Sequence, residues 1–241
     1  VLYGITRLVR KQDRVSFILL SLFSGLFLAS HNITSLVSTY ILLSFSLAVI
    51  LLNNNKIQNA LRLLFSALLG LGLASFFLVP VLFENNLISV GLLTSGYFNF
   101  RAHFATLHQL FITQAWGYGA SEFGPNDKLS FAVGIVQTLA LTLAPAVLFF
   151  KKKSLEATKI TFLFTFWILA VIGLFLTTNK SIGVWEILPI TSFIQFPWRF
   201  LGVVAVCTSA VLATLLGILS LKVQKVLSVI IIFVLLILNI R

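Results

Sequence analysis

Methionine is missing altogether, cysteine occurs once, and only six of the 241 residues are acidic. The single cysteine, Cys207, excludes a disulfide within the chain, and its place inside an apolar run marks it as a small packing residue. The want of methionine, with Val1 in first place, predicts an internal piece of a longer protein. The shortage of charge excludes most. Asp, Glu, Lys and Arg together supply 10% of the residues, whereas soluble domains carry about 25%. With 59% hydrophobic residues and a mean hydropathy of +1.07, a water-soluble fold could not hide its apolar side chains.

Charge-free stretches run over 15–55, 63–83, 129–150, 160–179, 200–221 and 226–240. A bilayer core needs roughly 20 apolar residues per helix, so most of these fit one crossing and the first fits two. Ser30, His31 and Asn32 interrupt that first stretch and predict a tight polar turn. The expected fold is therefore an all-α polytopic membrane domain with spans near 15–30, 33–52, 63–83, 129–150, 160–178, 200–221 and 226–240. Continuous apolar runs exclude a membrane β-barrel, whose segments of about 10 residues alternate apolar and polar. No small-residue cleavage pattern follows the first run, so it reads as a span rather than a signal peptide.

The net charge of +11 does not point to nucleic acid, because the basic residues cluster in alternate loops. Arg7, Arg10, Lys11, Arg14, Lys56, Arg62, Lys151, Lys152, Lys153, Lys159, Lys222 and Lys225 fall on one predicted side. Arg101, Lys128, Lys180, Arg199 and Arg241 fall on the other. The positive-inside rule places the twelve in the cytoplasm and the N-terminus with them, with the C-terminus outside the cell membrane. The basic loops then touch anionic lipid headgroups. Four of the six acids, Glu84, Glu122, Asp127 and Glu186, lie on the outer side.

The largest outer connection, 84–128, is long enough to form structure of its own. Phe104, Leu107 and Phe111 recur at helical spacing, with Arg101, His103 and Gln114 interspersed and Trp116 following, which predicts a short interfacial helix. The glycines and aromatics of WGYGASEFGPND then predict an irregular loop. Asp127, Glu122 and Glu84 are the candidate acids, bases or metal ligands of this face, and solvated carboxylates are the alternative. His103 and His108, five apart, do not share a helix face as zinc ligands at i and i+4 do.

The second outer connection ends in QFPWRFLG, 195–202. Pro197 suits the first turn of a helix, since its missing N–H is one that would go unpaired anyway. Arg199 then sits in that first turn, on the side that the positive-inside rule disfavours and where a cation opposes the helix dipole. A phosphate or carboxylate bound there would offset both. Snorkelling to headgroups, or an ion pair with Glu186, are the alternatives.

Three passages, SHNIT at 30–34, AWGYG…D…SFAVG at 115–134 and LPITSFIQFPWRFLG at 188–202, resemble the prokaryotic membrane proteins known as 6-pyruvoyl-tetrahydropterin synthase-related. The resemblance covers most of the chain, and QFPWRF is its most specific part. It implies no pterin synthase activity: that chemistry needs a zinc held by histidines in a soluble fold, a setting that His31, His103 and His108 lack. It implies instead a layout similar to GT-C type membrane glycosyltransferases, which use polyprenyl-phosphate-linked sugars on the outer leaflet of the cytoplasmic membrane. Under that resemblance Arg199, Gln195, Trp198 and His31 face the lipid-linked phosphate or sugar. No cofactor is evident, and a divalent metal would need residues from an acidic loop preceding Val1.

Two other function classes fit the same composition. A transporter or flippase for a lipid-linked intermediate is one, although ion-coupled transporters place ionisable residues within their spans and this chain has none at mid-span. A non-catalytic cell-envelope assembly protein is the other.

Overall fold

A computed structural model describes residues 1–84, 90–113, 117, 119–122 and 127–239. Gln114, Trp116 and Arg241 lie outside the described residues. The described chain is helical, with one isolated parallel bridge between Ala105 and Thr178. It divides into two compact units, Val1–Phe98 and Asn99–Arg241.

The first unit opens with α1, Leu2–Lys11, an amphipathic helix that buries Gly4, Ile5, Leu8 and Val9. It was not expected: Arg7, Arg10 and Lys11, with Arg14 after them, read as a cytoplasmic basic segment. Gln12 ends it in the left-handed conformation (φ 53°), and Asp13 starts α2, Arg14–Ser30, by accepting a hydrogen bond from Ser16 N at 2.6 Å. The predicted polar turn is a single residue. His31 ends α2 and caps α3, Asn32–Leu51, with Nδ1 accepting from Thr34 N at 3.2 Å.

Next, α4, Lys56–Leu73, and α5, Ser75–Phe83, replace the single span expected at 63–83; the two are bent by 71° at Ala74. Pro80 lies inside α5 and none of its residues is buried. The core of this unit is the crossing of α2 with α4. A Cβ on Gly25 would stand 2.9 Å from Leu73 Cβ, and one on Gly70 would stand 2.8 Å from Ser24 Cβ. Ser21 and Ser66, each four residues before one of these glycines, share a buried hydrogen bond of 3.0 Å. Two small-x-x-x-small seams thus bring the backbones together, as in many membrane helix pairs.

The second unit packs α8, Ala157–Thr177, against α10, Phe200–Leu216, and both against α7, Ile135–Phe150. The buried residues of α8 are Leu163, Phe166, Leu169, Ala170, Gly173 and Thr177, a helical face. α10, packed against it, buries Val203, Val204, Cys207 and Val211. Trp167 Nε1 donates to Leu141 O of α7 at 3.0 Å. The span expected from 129 starts only at Ile135, because Gly134 adopts φ 92° and caps the helix there. The last two expected spans also shift. α10 stops at Leu216, and α11, Leu221–Asn239, takes Lys222 and Lys225 into its first turns, as lysine's good helix propensity allows.

Among the described residues four helical stretches are long and apolar enough to cross a membrane: Asn32–Leu51, Ala157–Thr177, Pro197–Leu216 and Leu221–Leu238. The bent pair α4 and α5 makes a fifth if taken as one span, while α2 and α7 are apolar but shorter.

Candidate functional site

Because α7 begins, α8 ends and α10 begins at the same end of the second unit, the segments 99–134 and 178–199 gather there. The strand-like bridge fastens them: Ala105 N donates to Thr177 O at 3.0 Å. The predicted interfacial helix is reduced to α6, Leu107–Phe111, started by a reciprocal cap in which Gln109 N donates to Thr106 Oγ1 and Thr106 N to Gln109 Oε1. Phe104 lies outside it and packs edge-on against Trp185 of α9, Ile182–Ile187. Trp185 also stacks on Phe100 at 5.2 Å and meets Phe200 edge-on at 5.9 Å, with its Nε1 donating to Leu176 O.

On this aromatic base stands the QFPWR turn. Ile194 O accepts Phe196 N at 2.7 Å, closing a three-residue turn whose central residue, Gln195, has φ 66° and ψ −49°. That is a γ-turn of the rare positive-φ hand, a conformation that persists in a non-glycine residue only where its surroundings impose it. Arg199 supplies part of the imposition. Its Nη1 donates to Ile194 O at 2.6 Å and to Gln195 Oε1 at 3.1 Å, and its guanidinium lies 4.8 Å over the Phe196 ring. Trp198 stacks on Phe196 at 5.3 Å and leans on Phe131, while its indole Nε1 is buried without an acceptor among the described residues. Arg199 has no carboxylate partner there. The Glu186 that could have paired with it is bound to Arg101 at 2.9 Å.

Phe196 joins this turn to the candidate acids. His103, 2% exposed, meets the Phe196 ring edge-on at 4.7 Å, and its Nδ1 shares a hydrogen with Ser121 Oγ at 2.9 Å. Asp127 accepts from Glu122 N, is hydrogen-bonded by the Gln109 side chain and feels the charge of His103. Partial burial pushes the Asp127 carboxyl above its ordinary range, against the pull of the Glu122 N–H and His103. The second unit thus assembles Gln195, Trp198, Arg199, Glu122 and Asp127. Sequence reasoning missed His103 as a member, weighing it only as a metal ligand. His31 and Glu84 belong to the first unit: His31 spends Nδ1 on its cap and Glu84 is an exposed residue at the end of α5.

A cavity of about 470 Å³ opens at the same end, lined by Arg101, Phe104, Thr106, Leu107, Thr178 and Lys180 among others. That volume falls in the range of small-molecule sites.

The family described as 6-pyruvoyl-tetrahydropterin synthase related domain, a membrane protein, matches residues 1–240. The chain belongs to that family. No curated protein and no solved structure matches it. The three histidines are each engaged by a neighbouring hydroxyl. His108 Nδ1 is engaged by Thr113 Oγ1 at 3.0 Å, His103 by Ser121 and His31 by Thr34. Among the described residues no group of three or more His, Cys, Asp and Glu is gathered to hold a metal ion. Membership and the apolar helices together make the protein a membrane protein.

Proposed function

We propose that the loop end of the second unit is the part of a GT-C-like glycosyltransferase that holds a polyprenyl-phosphate-linked sugar at the outer face of the cytoplasmic membrane. The observation that carries this reading is Arg199. It is a cation fixed at the entrance of an apolar helix, without a carboxylate partner among the described residues, with Nε and Nη2 still available as donors. A phosphate is the ligand whose charge and geometry suit such a guanidinium. The unpartnered Trp198 Nε1 adds a further donor, and the indole face suits a sugar or an isoprenoid.

The alternating basic loops support placing this end outside, where the membrane boundary would let an isoprenoid tail stay in lipid. Asp127, with its proton held more tightly than usual, and Glu122 are the carboxyls near enough to one another to serve acid–base work there.

The test is Arg199→Ala in the whole protein, with binding of a polyprenyl phosphate measured by native mass spectrometry. Charge-assisted hydrogen bonds contribute about 1.5–3 kcal/mol, so affinity should fall roughly 10- to 150-fold. Unchanged binding in a folded variant would end the proposal. Lost binding without any sugar transfer by the wild-type protein would reduce it to lipid handling.

A further inference from the structure

The first unit contains a second cluster of donors that no part of the proposed function uses. Gln12 Nε2 donates to Asn59 Oδ1 at 3.3 Å, which occupies the Asn59 carbonyl and leaves Nδ2 as its donor. Asn59 is 1% exposed, and that Nδ2 has no acceptor among the described residues. One turn further along α4, Arg62 Nη1 is also buried and, among the described residues, also without an acceptor. Helical side chains lean toward the N-terminus, so the Arg62 guanidinium covers the turn that holds Asn59. Arg7 of α1 approaches from the facing helix and uses only Nε, donating to Ser16 Oγ at 3.0 Å.

The Asp13 carboxylate is engaged by Ser16, with the charges of Arg7 and Lys11 close by. Among the described residues neither Arg7 nor Arg62 has an ion-pair partner. A buried donor without a partner costs about 1–3 kcal/mol, and more where it is charged. Two within one helical turn, both donors and one cationic, ask for the same complement: an oxyanion.

We infer that Asn59, Arg62 and Arg7 form an anion-binding site between α1 and α4 that takes a phosphate group, supplied by a lipid headgroup or by free phosphate. Arg62 is only half-buried, so the cluster opens to the surface on its side.

Thermal unfolding of the full chain in a neutral detergent reads this directly. Inorganic phosphate is titrated against chloride at constant ionic strength, and phosphatidylglycerol against a neutral galactolipid. At about ten times the dissociation constant the ligand should raise Tm by roughly 3–5 °C. A shift with both ligands assigns free oxyanion, and a shift with phosphatidylglycerol alone assigns the lipid; each supports the site. No shift with either overturns it in the wild-type protein, with no need of a variant. Arg62→Gln should abolish the shift. Asn59→Leu should abolish it too, and a shift that survives in folded Asn59→Leu and Arg62→Gln proteins also overturns the site.

Discussion

Gln195 holds a backbone conformation that only glycine adopts cheaply, and its side chain is at the same time the acceptor that fixes Arg199. These two roles separate by mutation. Gln195→Gly relieves the strain, worth about 1–3 kcal/mol, while deleting the acceptor. The expected outcome is a Tm equal to or above that of the wild type together with weaker polyprenyl-phosphate binding, measured on one preparation by melting and native mass spectrometry. A variant that both melts lower and binds normally contradicts the division. The turn was only half legible in the sequence. Pro197 announces the helix start, but nothing local predicts a positive φ at a glutamine, because the cause is Arg199 reaching back to Ile194 O. His103 was hidden for a related reason: its partner Ser121 stands 18 residues away.

Among the elements, the α2–α4 crossing depends on two glycines in a way that the apolar run around each does not reveal. Gly70→Val should lower stability by about 1–3 kcal/mol, since the added carbon meets Ser24 Cβ and the Ser21 carbonyl. Gly72→Val, where a Cβ would meet nothing within 4 Å, is the control and should leave Tm within a degree or two. Equal losses at both positions would contradict this packing argument, since valine is a better helix former than glycine and propensity alone predicts no loss. Helices were legible wherever long apolar runs dominated, as at 33–52 and 160–178. They were less so where packing or backbone geometry decides. α1 was lost because Arg7, Arg10 and Lys11 outweighed its buried face. The start of α7 was misplaced because Gly134 halts the helix within an apolar run. The break at Ala74 falls within LLGLGLAS, 68–75, whose glycines suit either close helix packing or a break and do not say which.

For the whole molecule, the alternation of basic loops and the helical order make one prediction that spans both units. Reporter fusions after Lys153 should read as cytoplasmic, and fusions near Lys128 and Lys180 as outside. The reverse pattern would place the Arg199 end in the cytosol, where a polyprenyl-phosphate-linked sugar on the outer leaflet could not reach it. Fusions after Lys11 should agree with those after Lys153, because the twelve basic residues assign both to one side.

The 71° bend at Ala74 also bears on the lipid around the protein. Drawn out straight, residues 56–83 would form a rod of about 42 Å, against a hydrocarbon layer of about 30 Å. A straight rod would have to lean steeply or stretch the bilayer around it. The bend divides that length into α4 and the nine residues of α5, none of them buried, so neither piece alone exceeds the hydrocarbon thickness.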